Sequence, residues 1–131
     1  MYNYPPMNPR QIYRMFGNKL VGTKPMKDYV CETLSAMPFE AIDYVTANCW
    51  FLASMEDAFA FTFTGNDLAN KHLIFLSDEL LSQSKDQIRY TVAHEIGHVM
   101  LGHRNSVFVE QNKREIMNQE READSFARKY I

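Results

Sequence analysis

The segment YTVAHEIGHVMLGH, residues 90–103, constrains the fold of this chain more than any other stretch. It belongs to a predicted long helix from about Ser84 to Leu101, because Ser84 can cap the first turn and apolar residues recur on more than one side. Gly102 is suited to end that helix. A helix with this pattern is buried, yet it carries histidines and a glutamate that are costly to bury without partners. The rest of the chain must therefore supply groups that meet these polar side chains.

His94 and His98 are four residues apart, so on a helix their directions differ by only about 40° and they share one face. Two neutral imidazoles at this spacing can occupy two adjacent corners of a zinc tetrahedron. Glu95 points about 100° away from His94 and is placed to reach a water molecule rather than the metal. The pattern predicts a Zn²⁺ site with Glu95 as the general base. Gly97 costs about 1 kcal/mol of helix stability relative to alanine, which indicates close approach by another backbone or by a substrate.

The third zinc ligand is not supplied by the nearest histidine. His103 follows His98 by five residues and lies about 140° further round the helix. The pattern with a third histidine in the same segment, H-E-x-x-H-x-x-G-x-x-H, needs different spacings of glycine and histidine. We expect His103 to lie at the helix end near the last carbonyls, with a position in the cleft as the alternative. We expect His72, at the start of a strand, to lie on the surface.

A predicted final helix, from about Asn118 to Tyr130, offers three acidic residues as candidates. Glu120 and Asp124 are four residues apart and share a face, whereas Glu122 points about 200° away from Glu120. Two acids at this spacing repel each other, so proximity to a dication would explain them. We predict that Glu120 binds zinc and that Asp124 accepts the N–H of a ligating histidine. The alternatives are Glu122 as the ligand, or a solvated acidic face at the start of a helix.

Two segments, DQIRYTVAHEIGHVMLGH and EREADSFARKYI, resemble the ImmA/IrrE family of zinc metallopeptidases when taken together. The resemblance implies that His94, His98 and Glu120 bind zinc and that Glu95 is the general base. Asp124 stands where many members have asparagine, which is compatible with a role beside a ligand. The resemblance also implies a protein substrate, a helix-turn-helix transcriptional repressor of a phage, another mobile element or a stress regulon, which such proteins cut or otherwise inactivate.

Two aspects of the expected activity stay open at the level of sequence. Tyr90, one turn before His94, and His103 are both candidates for cleft residues that stabilise the transition-state oxyanion. A substrate is expected to lie extended beside an edge strand, supplied by FAFTFT or by HLIFL. The rival hypothesis is a non-cleaving antirepressor, a protein-binding module in which zinc is structural; such a site is closed by four protein ligands.

The remainder of the sequence predicts an α+β fold, a zincin-like minimal metallopeptidase in one domain, 1–131, with a loose arm at 1–7. A small three-stranded antiparallel sheet is expected to pack on the H-E-x-x-H helix and on flanking helices. Alternating aromatic and β-branched residues predict strands, and apolar residues at helical spacing predict helices. The predicted strands are 48–54, 58–64 and 72–76, and the two early helices are a short one in NPRQIYRMFGNKL and a second over Lys27 to Met37.

Composition excludes several classes of protein. The chain has 131 residues, a net charge of −2 and a pI near 6.1, without the basic excess typical of proteins that bind nucleic acids or membrane surfaces. The sequence has no stretch of about 18 apolar residues and no signal peptide, so a cytoplasmic protein is expected. Cys31 and Cys49 are expected to be reduced, half-buried thiols.

Overall fold

The computed structural model describes residues 7–55, 60–63, 71–103 and 113–131, with only the backbone for 53–55 and 60–63. The predicted N-terminal arm falls largely outside these ranges, as does most of the connection after His103. The described elements, in chain order, are α1 Pro9–Phe16, β1 Leu20–Gly22, α2 Lys24–Ser35, α3 Phe39–Asn48, β2 Cys49–Met55, β3 Ala60–Phe63, β4 His72–Ser77, a 3₁₀ turn Asp78–Ser82, α4 Lys85–Met100 and α5 Lys113–Tyr130.

Helix α1 begins where the sequence predicts, through a reciprocal capping box. The Asn8 side chain accepts a hydrogen bond from the Gln11 backbone N–H at 2.9 Å, and the Gln11 side chain accepts one from the Asn8 N–H at 3.0 Å. Helix α2 begins at Lys24, three residues before the predicted start. Helix α3 was not predicted, although Ala41, Ile42 and Val45 on its buried face follow helical spacing.

The sheet overturns the predicted fold class, because it is not a three-stranded antiparallel sheet and the chain is mostly helical. The strand order is β1-β2-β4-β3, in which β1, β2 and β4 are parallel and β3 pairs antiparallel with β4. Strand β2 does not pair with β3, because β4 lies between these two strands. Strand β1 escaped prediction because three residues are too short for a periodic signal. Helices α2 and α3 form the crossover that the parallel pairing of β1 with β2 requires.

The core lies between one face of the sheet and the helices. Phe51 on β2 and Ile74 on β4 are fully buried, and the Phe51 ring meets Phe16 of α1 edge to face, with 5.5 Å between the ring centroids. Helix α4 contributes Ile88 and Ile96, which are also buried. The H-E-x-x-H segment is thus held on a helix that is fixed by the core.

Helix α4 extends over Lys85–Met100, as predicted, with the Ser84 hydroxyl accepting from the backbone N–H of Gln87 at 3.1 Å. Helix α5 is longer than predicted and begins at Lys113. No described helix is both long enough and apolar enough to cross a bilayer.

At Gly97, α4 lies in close contact with Phe126 of α5. A Cβ atom at this position would lie 3.1–3.2 Å from side-chain atoms of Phe126, closer than ordinary van der Waals contact. Sequence predicted a close approach here by a backbone or a substrate; the neighbour is instead an aromatic side chain of α5. The glycine therefore gives Phe126 the room to pack against α4.

Cys31 and Cys49 are free thiols, as predicted, but they are buried rather than half-buried. Burial raises the pKa of each thiol to about 12, and the nearby Asp28 and Glu32 add to the effect at Cys31.

We expect both thiols to react slowly with Ellman's reagent in the folded protein, because the reactive thiolate is scarce and access is blocked. Absorbance at neutral pH should rise over hours without denaturant and within seconds in guanidinium, where both thiols become available. Rapid reaction of either cysteine in the native protein would contradict the buried positions.

We expect Gly97→Ala to give no net stabilisation, although alanine is favoured in a helix by about 1 kcal/mol. The added methyl group must displace Phe126, and this strain offsets the helix propensity. In a Phe126→Ala background the same change should raise the free energy of unfolding by up to about 1 kcal/mol. Urea unfolding of the wild type, the two single variants and the double variant measures how the effect of Gly97→Ala on stability differs between the two backgrounds. Equal stabilisation in both backgrounds would show that Phe126 does not restrict position 97.

Candidate metal centre

Three predicted ligands, drawn from α4 and α5, converge on one point. The Nε2 atoms of His94 and His98 are 3.2 Å apart. Glu120 reaches both rings, with Oε2 2.9 Å from His94 Nε2 and Oε1 3.1 Å from His98 Nε2. Among the described residues this group qualifies as a possible metal site, with ligand atoms all within 4.8 Å of one another.

The spacing of these atoms fits a small tetrahedral cation. Zinc–ligand bonds of about 2.0–2.1 Å in tetrahedral geometry separate the ligand atoms by about 3.3 Å. The three observed contacts, which involve both oxygens of Glu120, are shorter by only a few tenths of an ångström. Two imidazole nitrogens and a carboxylate all offer lone pairs, which repel unless a proton or a metal ion lies between them. This donor set, of two nitrogens and one oxygen, is one that zinc accepts.

Asp124 and Tyr90 lie behind His94. His94 Nδ1 is 3.0 Å from Asp124 Oδ1, and the same oxygen accepts a short hydrogen bond from the Tyr90 hydroxyl. The bond from Tyr90 lowers the pKa of the Asp124 carboxyl, and His94 contributes in the same direction. Burial and the bond to Asp124 raise the pKa of the Tyr90 hydroxyl. Asp124 is thus an ionised carboxylate beside the rear nitrogen of His94.

His103 and Glu122 lie behind His98. The Nδ1 atoms of His98 and His103 are 3.0 Å apart, and His103 Nε2 is 3.6 Å from Glu122 Oε2. His103 lies at the helix end next to the last carbonyls, as expected, but it reaches them through its backbone and not its ring. Its backbone N–H bonds to the carbonyl of His98, while the ring, only 8% exposed, packs against the His98 ring.

Desolvation lowers the pKa of His98 to about 4. Glu120 opposes this effect, whereas His94 and His103 add to it. His98 is therefore neutral near pH 7, and the neutral imidazole is the form that can ligate a metal. The local electrostatics suit His98 to metal binding.

Glu95 occupies a different direction on α4 from the two histidines. Its side chain is largely buried, at 7% exposure, whereas the Glu120 side chain is 54% exposed. A carboxylate with so little exposure exchanges a proton with bulk solvent less readily than one on the surface.

His72 is not the surface residue that sequence predicted. It is 5% exposed, and its Nε2 lies 2.9 Å from the Tyr44 hydroxyl. Burial is the main reason that its pKa is lowered. Sequence reasoning missed this pair because Tyr44 lies on α3, which was itself not predicted. His72 lies on β4, in the interior of the sheet and not among the converging ligands.

Comparison with known families finds a match over residues 84–131 to a family model described as Peptidase U49. The matched segment contains α4, with His94, Glu95 and His98, and α5, with Glu120. No curated protein and no solved structure matches this chain. The match supports a peptidase, without naming the ImmA/IrrE family in particular. The C-terminal segment of this chain is therefore similar to a peptidase family, which suggests a proteolytic function.

Proposed function

We propose that this protein is a zinc-dependent endopeptidase. The observation that carries the proposal is the convergence of His94 Nε2, His98 Nε2 and the Glu120 carboxylate at spacings suited to tetrahedral zinc. The peptidase family match covers the same residues. Composition, with a net charge of −2, offers no support for direct binding of nucleic acid.

In this proposal His94, His98 and Glu120 hold the zinc ion and Glu95 moves the proton. Bound zinc supplies Lewis acidity, which lowers the pKa of water and polarises the scissile carbonyl. The Glu95 carboxylate accepts a proton from the attacking water while the oxygen of that water forms a bond to the carbonyl carbon. Glu95 then delivers that proton to the amide nitrogen as the C–N bond breaks, so that an amine leaves. The low exposure of Glu95 supports this shuttle by limiting exchange of the proton with bulk water.

The number of ligands favours catalysis over the rival hypothesis of a structural zinc in a non-cleaving antirepressor. A structural site is closed by four protein ligands, whereas a catalytic site leaves one position open. In the part of the chain that the structure describes, the candidate cluster has three members. A glutamate between the two histidines also has an evident use in hydrolysis and none in a structural clamp.

We propose a helix-turn-helix repressor as the substrate, on the strength of the resemblance to the ImmA/IrrE family. An extended segment of such a protein can pair with a sheet edge. Of the two predicted edges, β4 lies between β2 and β3, and β3 lies at an edge of the described sheet and next to α4. Strand β3 is therefore the better candidate to align the substrate.

Neither candidate for oxyanion stabilisation is favoured by its contacts. The Tyr90 hydroxyl donates to Asp124, and His103 lies at the rear of His98. Both side chains are better suited to supporting the ligands than to touching the substrate.

Replacement of Glu120 should abolish zinc retention if this carboxylate is a ligand. After gel filtration, we expect about one zinc ion per chain in the wild type and in Glu122→Ala, and almost none in Glu120→Ala, as measured by mass spectrometry of the metal. The two glutamates lie on the same helix with similar exposure, 54% and 56%, so they form a matched pair. Loss of zinc in Glu122→Ala alone would show that Glu122, and not Glu120, is the ligand.

Glu95→Gln should retain zinc and lose at least about 100-fold in peptide-bond cleavage, since an amide cannot accept the proton from water. Purified helix-turn-helix repressors encoded in the same genome serve as substrates, and fragments are identified by mass spectrometry. Glu79→Gln, which alters an exposed carboxylate on the 3₁₀ turn, is the control and should cleave like the wild type. Equal cleavage by Glu95→Gln would exclude this mechanism. Tight binding of a repressor by the wild type without cleavage would favour the antirepressor.

A further inference from the structure

The backbone holds His103 against His98. Gly102 has a φ of 69°, in the left-handed region, and turns the chain back at the end of α4. The His103 N–H then donates to the His98 carbonyl at 3.0 Å, and the Gly102 N–H donates to the Val99 carbonyl at 3.2 Å. These two bonds form a Schellman motif, which ends the helix. The motif joins His98 and His103 through the main chain in addition to the contact between their rings.

The positions of the protons on His98 and His103 follow from the orientation of the His98 ring. A neutral imidazole that offers a lone pair at Nε2, toward His94 and Glu120, carries its proton at Nδ1. His98 Nδ1 is 3.0 Å from His103 Nδ1, which must then be the acceptor. His103 consequently carries its own proton at Nε2, the nitrogen that lies 3.6 Å from Glu122 Oε2. One consistent arrangement of protons therefore links His103 to His98.

We propose that His103 is a positioning residue that fixes the tautomer and the ring orientation of His98 for metal binding. The inference rests on the proposed metal centre. It completes a symmetry within the site, because His94 has Asp124 at its rear nitrogen and His98 has His103. The Glu122 carboxylate lies near the His103 ring but beyond hydrogen-bond distance. Groups in the position of His103 sharpen metal affinity without touching the metal.

The test compares two replacements of His103. In His103→Asn the side-chain oxygen occupies nearly the branch position of Nδ1 and can still accept from His98, whereas His103→Leu has similar bulk and no acceptor. Zinc affinity is measured by competition with a chelating dye. We expect His103→Leu to bind zinc about 10- to 100-fold more weakly than the wild type, and His103→Asn to stay within a few-fold of it.

Two further measurements separate positioning from folding. Thermal melting of the metal-free proteins should be alike for the Asn and Leu variants, because their difference lies in the acceptor. Long-range ¹H–¹⁵N spectra of the zinc-loaded wild type should show the proton of His98 on Nδ1 and that of His103 on Nε2. In His103→Leu the rear nitrogen of His98 should lose its strongly hydrogen-bonded proton signal.

Each outcome decides a separate point. If the wild type binds no zinc, the proposed metal centre fails and the positioning role fails with it. If the wild type binds zinc and His103→Leu binds it equally well, only the positioning role fails. If His103→Asn loses as much affinity as His103→Leu, the ring is needed for packing and the acceptor role is wrong. A His103 proton on Nδ1 in the zinc-loaded wild type would also overturn the proposal.

Discussion

The close packing of α5 on α4 is the constraint on which the candidate site depends. The two histidines come from one helix and the carboxylate from another, so no ligand set exists until the helices meet. Gly97 sets this approach by leaving space for Phe126. Gly97 weakens α4, but it lets α5 come close enough for Glu120 to reach the face of α4 that carries the two histidines.

The Nδ1 atoms of His94 and His98 each lie next to a different kind of side chain. A carboxylate from α5, itself bonded to Tyr90, serves His94, and a second histidine serves His98. The contact between Asp124 and His94 joins α5 to α4, whereas the His103 contact is local to the end of α4. The site is thus organised partly by tertiary packing and partly by the way one helix ends.

Local spacing predicted the parts of this protein that depend on local geometry. Helix α4, the shared face of His94 and His98, and the pairing of Glu120 with Asp124 follow from helical periodicity, and the structure brings these four side chains together. Strand positions were predicted as well, but their antiparallel pairing was wrong, because which strand lies beside β2 depends on the whole chain. Burial of His72 was missed for the same reason, since its partner is distant in sequence.

The position of the His103 ring against His98 was also not predicted, although the sequence contained the information needed to predict it. Gly102 marked the helix end, and a left-handed residue there returns the next side chain toward the preceding turn. The angle of about 140° that separated His103 from His98 assumed that the helix continued. Geometry computed for an uninterrupted helix does not apply beyond its terminal glycine.

Helix α5 buries little of itself: among its residues only Ala123 and Ala127 are fully buried, both with small side chains. Such a helix gains modest hydrophobic stabilisation from docking. A ligand shared between α4 and α5 would add its binding free energy to the docked state alone. Metal supply would then govern two properties at once, the chemistry of the site and the resistance of the C-terminal helix to digestion. If the protein is a zinc peptidase as proposed, loss of its zinc would make its C-terminal helix a substrate for other proteases.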